Sequence, residues 1–268
     1  MKNTFCIILL SLIVTGCIET TTVQDVIPNH DTFTIESSEV AEARVITVWK
    51  PADYFKTTDS LPVIYMLDGG VKEDFPHIAN TISKLVESKS IPPIILVGIE
   101  NTERRRDLTG ASQIKEDEGI APLTDGASRF RKFVSDELFL EINKRYRTTD
   151  YKGVIGESVA GLFVVETLLL KPEMFNFYIA MDPSLWWNNA LITKTSKDYL
   201  SQFPETKQKF WFAGSNAEDI SIYTNRLAKT LETNAPSTLT WTYSDEPNEK
   251  HNTIFRATKE KALIWALN

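Results

Sequence analysis

The chain has 268 residues, 42% of them hydrophobic and 24% charged, and a formal net charge of −7. That balance excludes a general nucleic-acid binder, which needs a basic face; the basic run Arg104-Arg105-Arg106 is short and flanked by acids. The length suits a single well-buried α/β domain, expected over residues 39–268.

Ahead of that domain, Met1-Lys2-Asn3 carries a positive charge, and Phe5 to Val14 is an apolar run too short to span a bilayer as a helix. The run ends in Val14-Thr15-Gly16-Cys17, which is similar to a bacterial lipobox. Residues 1–16 are therefore expected to be a lipoprotein signal peptide, with Cys17 lipid-modified at the mature N-terminus. The protein would be exported and anchored to a membrane on its periplasmic or cell-surface face; a plain secretory signal with an incidental cysteine is the alternative. Cys6 falls inside the signal, which excludes a disulfide or a cysteine-ligated metal in the mature chain. Residues 17–38 are rich in Thr, Asp, Glu and Ser and read as a flexible tether.

Strands and helices then alternate. Residues 45–49 read as a strand stopped by Pro51, and 63–67 as a buried strand ending in the loop Asp68-Gly69-Gly70. Helical spacing covers 78–86, another buried strand covers 94–99, and a polar loop runs from Glu100 to about Gly126. An amphipathic helix over 130–146 precedes the stretch KGVIGESVAGLFVVETLLL, residues 152–170. Strands follow at 177–181, 210–213 and 239–243, with helices at 220–233 and 258–267. This alternation implies a mostly parallel sheet with helices on both faces, whose active site lies at the carboxyl ends of the strands.

Ser158 lies at the apex of a tight strand-to-helix turn, Gly156-Glu157-Ser158-Val159-Ala160. Such a turn strains the nucleophile's backbone and requires small residues two positions to either side. A serine hydroxyl needs a base, and of the three histidines only His251 follows the serine, in the loop between the last strand and the last helix. His30 falls in the tether and His77 after the Asp-Gly-Gly loop. For the acid that orients His251, the preferred residue is Glu218, after the penultimate strand, with Asp219 and then Asp182 as alternatives. Backbone amides at Val159 and Gly70 are the expected oxyanion donors. No metal cluster, phosphate loop or nucleotide motif is present in the sequence, and no cofactor is expected.

Taken as a set, these residues resemble the putative-esterase (esterase D-like) family of α/β-hydrolases, and the siderophore trilactone esterase branch in particular. The resemblance rests on residues 63–69, Arg104 to Thr109, 126–130, Gly156 to Phe163, Asp182-Pro183-Ser184-Leu185-Trp186-Trp187 and His251-Asn252-Thr253. It implies an α/β-hydrolase fold and a serine esterase working through an acyl-enzyme on siderophore lactones or on acylated or feruloylated saccharides. Departures are Glu157, where many members carry histidine or glutamine, and Ala160 in place of glycine. Trp186 and Trp187 are candidates to line the substrate pocket, although adjacent aromatics cannot both point into it. Arg104 and Arg106 are candidates to hold a catecholate or carboxylate, or else are paired with Glu103 and Asp107. An acyltransferase would use the same site, and a non-catalytic hydrolase-fold binding lipoprotein is the reading from a different class.

Overall fold

The structure is a computed structural model that describes residues 25–268. Strand β3 (Leu61–Met66) shows why a central sheet forms: its residues are buried on both faces, Val63 and Tyr65 toward one, Ile64 and Met66 toward the other. The same holds for β4 (Ile95–Ile99) and β6 (Phe177–Met181), buried along their whole lengths. Strands of this kind need helices above and below them.

Within the described residues the sheet has eight strands in the order β1-β2-β4-β3-β5-β6-β7-β8. The edge strand β1 (Asp31–Ser37) pairs antiparallel with β2 (Glu42–Trp49), and β2 pairs antiparallel with β4. From β4 through β3, β5 (Thr148–Glu157), β6, β7 (Gln208–Gly214) and β8 (Leu239–Asp245) every pairing is parallel. Helices α1 (Phe75–Glu87) and α8 (Ile254–Leu267) cover one face. The helix that follows Ser158, α5 (Val159–Leu170), packs on the other face, with the run from Gly126 to Arg145 and with α7 (Glu218–Asn234).

Three expectations change. The tether expected over 17–38 does not hold as far as 38, because Asp31–Ser37 is a strand in full register with β2. Short polar strands are common at sheet edges, and seven backbone pairings outweigh an unpromising composition. Upstream of it, Asp25 is paired with Arg256 on α8 at 2.6 Å, and the carbonyl of Val26 accepts from Asn80 on α1. Second, the helix expected over 130–146 is three segments, α3 (Gly126–Lys132), a π-helical turn at Phe133–Leu138, and α4 (Phe139–Arg145). Third, α6 (Trp187–Leu200), which sequence periodicity did not reveal, follows the Pro-Ser-Leu-Trp-Trp stretch. Its first turn is left-handed, with φ of 51°, 52° and 55° at Asn188, Asn189 and Ala190, so an amphipathic pattern starts late. Cys17 and the expected signal segment lie outside the described residues.

Candidate active site

Ser158 joins β5 to α5 with φ 60° and ψ −118°, a conformation costly for any residue with a Cβ. Small neighbours make it possible. A Cβ on Gly156 would meet the Ala160 carbonyl at 2.7 Å, and one on Gly161 would meet the Met181 carbonyl at 3.0 Å. Two other strands end in the same way: Asp68 after β3 has φ 54° and Asp182 after β6 has φ 47°. Because β3, β5 and β6 are adjacent and parallel, their ends bring these three side chains to one edge of the sheet.

Ser158 Oγ is 3.1 Å from Nε2 of His251, whose Nδ1 is 2.7 Å from Oδ2 of Asp182. A carboxylate accepts only, so Nδ1 carries the proton and Nε2 is left free to accept from the serine hydroxyl. The bond to Asp182 raises the His251 pKa above the ordinary 6.5, against a lowering by partial burial. Asp182 is fully buried and is held by Ser215, whose amide donates to Oδ1 at 2.6 Å and whose hydroxyl donates to Oδ2 at 2.7 Å.

Among the three carboxylates considered from sequence, the structure thus puts Asp182 on His251, not the preferred Glu218. Glu218 opens α7, where a negative charge is favourable at a helix N-terminus, and Asp219 is the next residue of the same turn. The loop after β7 supplies the donors that hold the acid rather than the acid. What distinguishes Asp182 is its place in the sheet: it follows β6, the strand paired directly with β5. Ser184 was missed. Its buried hydroxyl lies 3.3 Å from Ser158 Oγ, and its amide donates to the Ser158 carbonyl at 3.0 Å.

Val159 is the first residue of α5, where a backbone amide has no acceptor within the helix. The Gly69-Gly70 loop is pressed against β4, with Gly69 donating to the Ile99 carbonyl at 2.9 Å and no room for a Cβ against Gly98. The Gly70 amide donates to Glu73 Oε2 at 2.7 Å, and burial raises the Glu73 carboxyl above its usual range. Glu157 beside Ser158 is pushed up to about 7, by burial first and then by the nearby charge of Asp74.

Both arginines lie on the short helix α2 (Arg104–Leu108) and both are engaged by carboxylates. Arg104 Nε and Nη2 donate to the two oxygens of Asp68 at 2.6 and 2.7 Å. Arg106 is held by Asp107 at 2.8 Å and Glu42 at 2.5 Å. The two tryptophans separate as adjacent residues must: Trp187 is 3% exposed and donates to the Gly110 carbonyl at 3.0 Å, while Trp186 stays partly exposed.

The sheet order, the strained serine turn and the placement of histidine in the last loop are those of the α/β-hydrolase class. A family model described as "Putative esterase" matches residues 37–259, and the chain belongs to that family. Ferri-bacillibactin esterase BesA of Bacillus subtilis is 33% identical over 161 residues, 55% of this chain and 56% of BesA. The match therefore spans about half the length of that relative. The siderophore triacetylfusarinine C esterase of Aspergillus fumigatus is 26% identical over 200 residues, 68% of this chain and 63% of the relative. Among solved structures, an IroE-like serine hydrolase from Shewanella oneidensis superposes with a TM-score of 0.82 at 25% identity, over 89% of this chain and 80% of that one.

Proposed function

We propose that the protein is a serine carboxylic-ester hydrolase. The observation that carries this is the unbroken series Ser158 Oγ, His251 Nε2, His251 Nδ1, Asp182 Oδ2, with separations of 3.1 and 2.7 Å. Ser158 Oγ attacks the ester carbonyl while His251 Nε2 takes its proton, and Asp182 stabilises the imidazolium that forms. The tetrahedral oxyanion is received by the Val159 amide and by the Gly70 amide, which Glu73 gives up as substrate enters. His251 returns the proton to the leaving alcohol, and water releases the acyl group by the same steps in reverse order. An acyltransferase differs only in the acceptor that replaces water.

Among ester classes, siderophore lactones are favoured by the esterases named among the relatives, and we assign Trp186, partly exposed in the loop after β6, to flank the substrate. Arg104 and Arg106 are both engaged by carboxylates, which disfavours them as the site for a catecholate or carboxylate. We further propose export and anchoring through a lipid on Cys17; intact mass of the membrane-extracted protein tests it, and an unmodified Cys17 rejects it.

The test of the reaction is hydrolysis of short p-nitrophenyl esters by the purified protein beside Ser158→Ala and His251→Ala. Loss in both variants supports the mechanism, and activity surviving Ser158→Ala rejects it. A serine-directed phosphonate that fails to label Ser158 in a protein inactive on all esters tried would favour the binding role.

A further inference from the structure

Arg104 clamps the peptide bond that leads into the nucleophile. Its Nη2 donates to the Glu157 carbonyl at 3.2 Å while also donating to Asp68 Oδ2 at 2.7 Å, and its Nε holds Asp68 Oδ1 at 2.6 Å. Asp68, 7% exposed, is fixed from another side by Asn101 Nδ2 at 2.5 Å. The opposite end of the same Glu157–Ser158 peptide is also held, because the Ser158 amide donates to the Met181 carbonyl at 2.9 Å. Both hydrogen-bonding groups of one peptide plane are therefore fixed, and the orientation of that plane sets φ of Ser158 at 60°. Strain of this kind persists only where the surroundings over-determine it.

Asp68 begins the loop that carries Gly70, so one guanidinium ties the loop of the second oxyanion donor to the turn of the nucleophile. We propose that Arg104 is a positioning residue for the reaction, holding Ser158 and the Gly69-Gly70 loop in register through Asp68 and the Glu157 carbonyl. This rests on the esterase reading above and adds to it a residue that touches neither substrate nor reacting atoms. A displacement of about 1 Å at reacting groups costs roughly 100-fold in rate, so the clamp acts on turnover rather than on affinity. Lysine cannot replace it, since an ammonium does not span both carboxylate oxygens and a carbonyl in one plane.

The experiment measures kcat, KM and thermal midpoint for the wild type, Arg104→Ala, Arg104→Lys and Asp68→Asn. Substrates are a neutral ester, p-nitrophenyl butyrate, and an anionic one, p-nitrophenyl hemisuccinate. The expected result is a fall in kcat of about 10- to 100-fold for Arg104→Ala, equal on both esters, with KM within about twofold. Millimolar ethylguanidinium restores part of the Arg104→Ala turnover, whereas Arg104→Lys recovers little. Asp68→Asn, which keeps the shape of the side chain, lowers kcat in the same direction and combines non-additively with Arg104→Ala; it carries the test alone if Arg104→Ala does not fold. Unchanged kcat in a folded variant overturns the proposal, and so does a loss confined to KM on the anionic ester, which would make Arg104 a substrate contact. A wild type that hydrolyses neither ester and takes no phosphonate fails the esterase reading itself, and this proposal with it. An active wild type with unaffected variants fails the clamp alone.

Discussion

Gly156 and Ala160 share one space. A Cβ built on Gly156 would lie 2.8 Å from the Ala160 methyl and 2.7 Å from its carbonyl oxygen, so the strand and helix of the nucleophile turn meet with no slack. Alanine at 160, where many serine hydrolases of this class carry glycine, is accommodated because 156 is glycine.

Gly156→Ala is therefore expected to lower the thermal midpoint and to abolish ester hydrolysis, at a cost of about 1–3 kcal/mol or more from overpacking. Adding Ala160→Gly should recover part of both, since it removes the methyl but leaves the carbonyl at 2.7 Å. A fully stable and active Gly156→Ala protein would contradict the packing described.

Asp182→Asn should reduce kcat by roughly 10³- to 10⁴-fold, because an amide can donate and so favours the wrong tautomer of His251. Glu218→Gln should leave kcat within about twofold, as its charge serves the start of α7. Steady-state kinetics on the two variants decides between the acids, and the reverse ranking would return the role to Glu218.

Activity should fall with acidity through a midpoint above 6.5, since His251 acts as a base only when neutral and Asp182 raises its pKa. Glu157 contributes to that raising, so Glu157→Gln should move the acidic limb of the kcat/KM profile to lower pH. The stability effects are separate from the catalytic ones. His251, raised on folding, adds stability that is complete below its unfolded pKa and is lost as pH rises through its folded one. Glu157, an acid raised to about 7, binds its proton more tightly in the folded chain. It therefore weakens the fold progressively from about pH 4.5 to 7, and Glu157→Gln should stabilise at pH 8 and have little effect at pH 4. Urea midpoints at the two pH values check the sign.

Glu73→Ala should free the Gly70 amide from its 2.7 Å bond. A boronate that mimics the tetrahedral intermediate is then expected to bind several-fold tighter, with kcat/KM rising on a small ester. Unchanged or weaker boronate binding would mean that Gly70 is not the second oxyanion donor.

Much of the sheet was legible because its strands are continuous apolar runs, as at Tyr65 and Ile179, and runs of that kind hide little. The nucleophile turn was legible from glycine and serine spacing, and His251 from its place in the last loop. What sequence could not rank was the acid. Asp182, Glu218 and Asp219 all follow strands, and only the sheet order, which makes β6 the neighbour of β5, separates them. Arg104 stays undecided in the sequence between anion receptor and ion-paired residue, because its carboxylate partner, Asp68, lies 36 residues away. The edge strand was hidden because Asp31–Ser37 gains its order from pairing with β2 rather than from its own apolar content.

Three neighbouring strands end in residues with positive φ, Asp68, Ser158 and Asp182, and none of the three is glycine. At each position glycine would relieve backbone strain of about 1 kcal/mol or more, and at each it would delete the side chain that the site uses. Natural selection for thermal robustness and selection for turnover thus pull these three positions in opposite directions. A Ser158→Gly protein, expected to be inactive on esters, is the kind of variant that a search for heat-resistant versions of this fold would tend to collect.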